Sequence, residues 1–405
     1  MEPPPSPMPS VPDQSLSPRR NTYSLVMIFA IMFMDILGLL LLAPVSVFIV
    51  RQYSDAALAV SMITIIYAAG QFIAAPFMGK LGDRYGRRPV LLISLAGQAL
   101  GYLVFGLGGA LWVLFLGRMI GGITAGNFST ATAYLADVSP PEERARNFTL
   151  IGIAWSLGLI IGPAIGAVLG NISLVAPAFV AGGLSILNLV LGIFLLPESL
   201  PKDRRSSIPI KFKDINPLSA IAGMARKPGL GLLLTVTCLF NFAFNGINSI
   251  SNIYLIQKFK VDPSQVGSLM VLAGIAVGIV QFVLVQRVVK RFGEKRVAVA
   301  GLTGMALGEF AYFLSPLLVF IYPINMLISA ISGFVFPTLT TLNISRVKYH
   351  EVGLLMGVTT ALASLMNIFG PFWAGMIFDR IQIGAPFWMG GLFLGLSALL
   401  LWRKG

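Results

Sequence analysis

Gly79-Lys80-Leu81-Gly82-Asp83-Arg84-Tyr85-Gly86-Arg87-Arg88-Pro89-Val90 is a short, glycine-rich, charged stretch set between two long apolar runs. Five charges (Lys80, Asp83, Arg84, Arg87, Arg88) fall within nine residues. Such a group cannot sit in hydrocarbon, so the stretch belongs at a membrane face. Gly79, Gly82 and Gly86 suit a tight reversal where a bulkier backbone would clash. The plain role for it is a cytoplasmic loop whose basic residues fix topology. Its spacing supports a second role, taken up below.

The chain has 405 residues, 56% of them hydrophobic and 11% charged, with a mean hydropathy of +0.84. A soluble domain carries roughly 25% charged residues, so most of this chain is built for lipid. A net charge of +13 would suit nucleic acid. The positive residues fall in short loops and form no continuous face, so no nucleic-acid partner is expected. Cys238 and His350 are the single cysteine and histidine. They cannot build a disulfide, a zinc site or a histidine-based triad, and no cofactor, metal or enzyme activity is expected.

A helix crossing ~30 Å of hydrocarbon needs about 20 apolar residues. Twelve stretches fit: 24–50, 56–79, 90–109, 111–136, 146–170, 174–196, 230–257, 264–289, 296–315, 317–342, 351–377 and 384–402. Residues 1–22, rich in proline and serine, have the composition of a disordered cytoplasmic tail. The apolar run that follows is too long for a signal-peptide core and lacks a small-residue cleavage site, so it is a retained first helix. With residues 1–23 in the cytoplasm, Arg51, Lys258, Lys260 and Arg380 lie outside and Arg118 lies in the membrane. The other 24 of 29 Lys and Arg are then cytoplasmic. The positive-inside rule therefore puts both termini on the cytoplasmic side of the cell's inner membrane.

The composition changes between 197 and 229, where Pro197-Glu198-Ser199, Lys202-Asp203-Arg204-Arg205 and Lys211-Phe212-Lys213 form one long connector. It divides a six-helix bundle at 23–196 from another at 230–405. The halves repeat each other. Residues 286–296 are a degraded copy of the opening stretch, with Gly86 and Gly293 207 residues apart, and Gly162-Pro163 recurs as Gly370-Pro371 at 208. Two landmarks at nearly one offset indicate an internal repeat, and paired halves with a site between them are a transporter architecture. The expected fold is an all-α membrane protein of twelve transmembrane helices in two six-helix pseudo-repeats.

Ionisable residues deep in a membrane are costly and mark function by default. Asp35 lies ~20 Å along the first span, and Arg118 in the fourth lies roughly 18 Å from the same face. At similar depth they can compensate each other, and protonating the carboxylate would release the arginine. A static ion pair between two helices is the alternative. Glu309 in the ninth span is the other buried acid, with a local Thr or Tyr partner as its plain role. Asn241, Asn245, Asn248 and Asn252 share one face of the seventh span, facing either a water-filled cavity or interhelical hydrogen bonds. Asn127 and Trp155 are further cavity candidates; Gln71, Gln98, Gln281 and Asn367 suit packing better. Gly158-x-x-x-Gly162-Pro163-x-x-Gly166 offers a small-residue seam with a helix-bending proline. Asp137, at the cytoplasmic end of the fourth span, can attract Arg84, Arg87 or Arg88.

The opening stretch closely resembles the G-x-L-x-D-R-x-G-R-R loop between helices two and three of the major facilitator superfamily. The resemblance extends over 24–402 and is densest over 76–166. There Gly117-Arg118 with Gly121-Gly122-Ile123-Thr124, Ala136-Asp137 and the G-x-x-x-G-P-x-x-G pattern resemble the drug:proton antiporters, above all the tetracycline-efflux branch. Asp35, in Met34-Asp35-Ile36-Leu37-Gly38, resembles that branch's first-helix acid. The resemblance implies a monomeric twelve-helix bundle that alternates between inward- and outward-open states. It would export a hydrophobic or amphipathic small-molecule substrate in exchange for protons. It also implies that Asp83 and the neighbouring arginines latch one half against the other, Asp83 being drawn to the N-terminal dipole of the eleventh span.

Two features depart from that branch. Tetracycline exporters carry a further acid in the third helix, where this chain has Gly101 in Gly101-Tyr102-Leu103, and this chain has no histidine in its eighth helix. The alternative within transport is an uptake symporter for a sugar or metabolite. Against it, the sixth helix is followed by Pro197-Glu198-Ser199-Leu200-Pro201 and not by the P-E-S-P-R of sugar porters.

Overall fold

The computed structural model describes residues 18–125, 127–140, 143–205, 217–348 and 351–404. The tail assigned to 1–22 falls outside it as far as residue 17, as do residues 206–216 of the connector and His350. Among the described residues, 12 helices are long and apolar enough to cross a membrane: Tyr23–Arg51, Ala57–Ala75, Arg87–Leu107, Leu111–Val138, Arg146–Ile172 and Ala176–Leu195, then Leu230–Phe259, Pro263–Phe292, Glu294–Leu314, Leu318–Ile344, Leu354–Arg380 and Ala385–Arg403. They are called the first to twelfth spans. Side chains such as Phe194, Ile172 and Leu107 stand exposed on the outside of the bundle, as a surface wetted by lipid requires.

Several spans are less regular than their composition implies. The first helix starts at Pro18 and ends at Leu41; after a turn at 42–45, Ser46–Arg51 resumes as a separate helix. Pro44 in that turn has no N–H to donate and its ring blocks the preceding helical carbonyl. The fourth span divides into Leu111–Thr124 and Asn127–Val138. The eighth opens into a π-helical segment over Val280–Leu284.

The opening stretch is mostly not a loop. The second helix continues to Tyr85 and the third begins at Arg87, so the reversal rests on Gly86 alone, at φ 107°. Gly79 and Gly82 are helical. The helix can carry these charges because its last two turns project beyond the apolar length needed to cross. Gly293 makes the same one-residue reversal at φ 80° between Val285–Phe292 and Glu294–Leu314.

Two glycine seams set the packing inside the halves. A side chain at Gly158 would strike Ile36, at Gly162 Leu40, and at Gly166 the Leu41 carbonyl, so the fifth span lies directly on the first. In the second half, Gly370 of the eleventh span meets the Phe242 carbonyl and Gly246 of the seventh. Small residues permit this approach because lipid gives no hydrophobic drive between helices and contact must come from close packing.

The two ends of the bundle differ. At the end away from the termini, the far end, one core joins both halves. At the far end it takes Leu41, Val45, Val50, Phe105 and Leu114 from the first half with Ile253, Tyr254, Val261 and Phe387 from the second, and within the second half it continues down to Leu233 and Leu401. At the near end each half keeps its own cluster: Ile28, Leu91, Tyr134 and Leu196 in the first, Met224, Leu230, Leu355 and Val358 in the second. The halves are therefore sealed at the far end and separately packed at the near end.

Candidate functional site

Asp35 sits half-buried on the first span and accepts a hydrogen bond from Gln98 Nε2 of the third span at 3.5 Å. Gln98 Oε1 and the Tyr67 ring of the second span lie together over Gly121 of the fourth. Tyr102, one turn beyond Gln98, lies over Gly38, where an added Cβ would stand 3.5 Å from its ring, in ordinary contact. Arg118 of the fourth span lies with its guanidinium 4.9 Å from the Phe105 ring centre and 5.9 Å from that of Tyr67. The charges of both Asp35 and Arg118 reach Tyr67 and Tyr102. Arg118 enters none of the ion pairs among the described residues; aromatic faces carry its charge instead. The two charges thus communicate through Tyr67, Gln98 and Tyr102.

This site is buried and incompletely satisfied. Gln98 is 2% exposed, Tyr102 3% and Arg118 8%. Gln98 Oε1, Tyr102 Oη and Arg118 Nε have no hydrogen-bond partner. A buried polar group without a partner costs about 1–3 kcal/mol, so the set is poised to accept a proton, water or a ligand group. Gln98, assigned to packing from the sequence, is its centre. Tyr67 and Tyr102 were not singled out, because tyrosine in an apolar run looks like any amphipathic side chain.

Gly101 has its own physical account. A Cβ there would stand 2.8 Å from the Gly117 carbonyl and 2.8 Å from the Gly121 nitrogen. The third and fourth spans touch backbone to backbone at this level, so the third-helix acid of the tetracycline branch has no room at 101.

The asparagine stripe of the seventh span is divided by its bonding. Nδ2 of Asn241, Asn245 and Asn248 donates to the carbonyl one turn back, those of Thr237, Asn241 and Phe244, each at 2.8 Å. Only Asn252 reaches another helix, donating to the Ala43 carbonyl of the first half at 3.3 Å. The expected interhelical bonding therefore holds for that one residue. Asn248 and Asn252 line a cavity in the second half; Asn241 is buried. Trp155 packs with Ile36, Leu40 and Ala154 beneath the first span. The side chain of Asn127 lies outside the described ones.

At the near end Arg87 bridges two acids, Asp83 at 2.7 Å and Asp137 at 3.3 Å. Ser199 adds a bond to Asp137 at 3.0 Å. Glu198 caps the third helix by accepting from Arg87 N at 2.8 Å and pairs with Arg205 at 3.6 Å. Arg88 donates to the Ile193 carbonyl, while Arg84 lies over its neighbour Tyr85. All these partners belong to the first half or the start of the connector. In this state Asp83 is held by Arg87, and among the described residues it makes no ion pair with the eleventh span.

The halves are bridged at the far end instead, and one of the bridging residues is one the sequence did not flag. Asp379, at the end of the eleventh span, accepts from Ala57 N at 2.8 Å and Leu58 N at 2.9 Å, capping the second helix bidentately. Gly375, one turn earlier, lets this approach happen: its Cβ would lie 2.9 Å from Leu58 Cα. Among the described residues no group of His, Cys, Asp and Glu side chains could hold a metal ion.

The Major Facilitator Superfamily matches the chain over residues 28–258 and 233–405. The chain is a member of this superfamily. It is 32% identical to the class C tetracycline resistance protein of Escherichia coli over 95% of its own length and 98% of that protein's. It is 25% identical to multidrug resistance protein 2 of Bacillus subtilis (strain 168), covering 94% and 95% of the two chains. Among solved structures, the human organic anion transporter MFSD10 superposes with a TM-score of 0.71 at 24% identity, covering 94% of this chain and 99% of that one. That likeness speaks for the fold, a twelve-helix bundle, while membership of the superfamily makes the chain a membrane transporter and not an enzyme.

Proposed function

We propose that this protein is a proton-driven exporter of small hydrophobic or amphipathic drug-like compounds, acting as a monomer in the cytoplasmic membrane with both termini inside. The excess of Lys and Arg at the termini end supports that orientation. The observation that carries the reading is Asp35: a first-span acid bonded to Gln98 and in electrostatic reach of the same tyrosines as Arg118. The full-length relatives named for tetracycline and multidrug resistance supply the direction.

The arrangement can couple a proton to a conformational step. An ionised Asp35 holds the Gln98 amide and the field of Arg118; protonation removes that charge and loosens the set. The Gly158–Gly166 seam lies directly on the residues next to Asp35, Ile36 and Leu40, so a change at Asp35 bears on how the fifth span sits against the first. With the far end sealed and the near end separately packed, the described state is open toward the cytoplasm, ready to take up cargo for export. Residues 79–90 and Asp137 then serve as the gate on that side, and Asn248 and Asn252 border the cavity.

The test uses inverted vesicles energised with a proton gradient. Asp35→Asn is expected to abolish gradient-driven drug uptake at unchanged protein abundance. Wild-type coupling in that variant would overturn the role of Asp35. Uptake by right-side-out vesicles alone would overturn the direction.

A further inference from the structure

The second half contains a cavity of about 240 Å³ between the seventh, eighth, ninth and tenth spans, reached on one side by Leu159 of the fifth. Glu309 lines it and is 5% exposed. Among the described residues its carboxyl makes no hydrogen bond and enters no ion pair. Lys258 is directed elsewhere, donating to Tyr254 Oη at 2.7 Å and the Phe313 carbonyl at 3.0 Å. A carboxylate buried in a membrane requires a counter-charge or a full set of donors. The protein provides neither.

The rest of the lining has the same character. Asn248, Asn252 and Asn325 face the cavity, and each spends its Nδ2 on a backbone carbonyl: Phe244, Ala43 and Leu269. Each still has its amide oxygen and its second N–H to present. The cavity therefore sets neutral amide oxygens beside an acid, and no cationic side chain is among its lining residues. Its walls include Phe244, Tyr312 and Phe387, the last two stacked with ring centres 4.9 Å apart. Aromatic faces attract cations.

We infer that this cavity binds a small organic ammonium group, with Glu309 as its counter-charge, the three asparagine oxygens as N–H acceptors and the Tyr312–Phe387 stack as its wall. Size selects the organic ion over a bare alkali cation. The volume equals that of several water molecules at ~30 Å³ each, and apolar aromatic walls suit a ligand with a hydrocarbon part. The site is built by the second half, on a different set of helices from Asp35. The inference rests on the export reading only in taking the bound ion for cargo; the binding itself does not depend on direction.

The probe is benzylammonium chloride, titrated calorimetrically into the purified full-length protein in detergent, with benzyl alcohol and sodium chloride as comparison titrants. The wild type is expected to bind benzylammonium at least tenfold more tightly than benzyl alcohol, with sodium failing to compete. Glu309→Gln is expected to weaken it about tenfold or more, with an unchanged size-exclusion profile. Should that variant not fold, Asn325→Leu is expected to weaken binding several-fold. Equal affinity in Glu309→Gln, equal binding of benzyl alcohol, or displacement by sodium would overturn the assignment. So would loss of binding in Asp35→Asn with retention in Glu309→Gln, which places the ion in the first half. Binding through Glu309 without gradient-driven uptake in inverted vesicles would sink the export reading and leave this one standing.

Discussion

The two ends of the bundle hold their acids in opposite ways. At the far end Asp379 reaches across the molecule and caps the second helix with two short bonds. At the near end Asp83 stays in its own half, 2.7 Å from Arg87. The second and eleventh spans meet at the far end, and each carries an aspartate at or near its own end, Asp83 and Asp379; the start of the second is where Asp379 reaches. One clasp is closed in this state, and the other is parked on an arginine. If Asp83 caps the eleventh span when the near end closes, one kind of lock serves both ends, engaged at one end at a time.

The sharpest way to break this picture is Gly375→Leu. The Cβ position already lies 2.9 Å from both Leu58 Cα and Ser61 Oγ, so a leucine must force the eleventh span off the second. Overpacking of this kind costs about 1–3 kcal/mol, enough to move a two-state equilibrium roughly 5- to 150-fold. Spin labels at Tyr53 and Gln382, both exposed near the far end, should report a population at longer distance that dominates. An unchanged distance distribution would mean that the far-end seal does not depend on this contact.

Asp379→Asn should act in the same direction with smaller effect. Losing a charged cap costs about 1 kcal/mol, or roughly fivefold in population. The labels at 53 and 382 should show a minor open component in place of a dominant one. If Asp379→Asn opens the far end more than Gly375→Leu does, the cap and not the packing is the main restraint, and the ranking proposed here is wrong.

How much of this was legible in the sequence depends on the residue. The twelve spans, the two halves and their repeat follow from hydropathy and spacing, because lipid leaves few other ways to satisfy a backbone. Asp35 and Arg118 were visible because charge in an apolar run is conspicuous. Gln98, Tyr67 and Tyr102 were not, because their importance lies in which helices meet, and periodicity within one span carries no record of its neighbours. Asp379 was hidden for a related reason: an aspartate at a helix end looks like ordinary solvation until the partner helix, 321 residues away along the chain, is in place. The break at Pro44 follows from proline chemistry, yet the π segment at Val280–Leu284 has no compositional mark. Gly101 had the signal reversed. It looked like a missing acid, and the structure shows a glycine required by contact with Gly117 and Gly121.

The smallest effect in this state belongs to Asp83→Asn, and it is the most discriminating. Its carboxyl side chain is 49% exposed, and an exposed ion pair contributes about 0–1 kcal/mol, so the far-end-sealed structure should hardly change. The far-end-open state should suffer more, because closing the near end is what would bring Asp83 to the start of the eleventh span. Asp83→Asn should therefore lower turnover several-fold with substrate binding largely intact, and shift the labels at 53 and 382 toward the sealed distance. That is the opposite sign from Asp379→Asn. In the double variant the two shifts should oppose each other, leaving the distance distribution nearer wild type than Asp379→Asn alone while turnover stays low. If both substitutions shift the distribution the same way, the two aspartates are not reciprocal clasps, and Asp83 serves only to orient Arg87 between itself and Asp137.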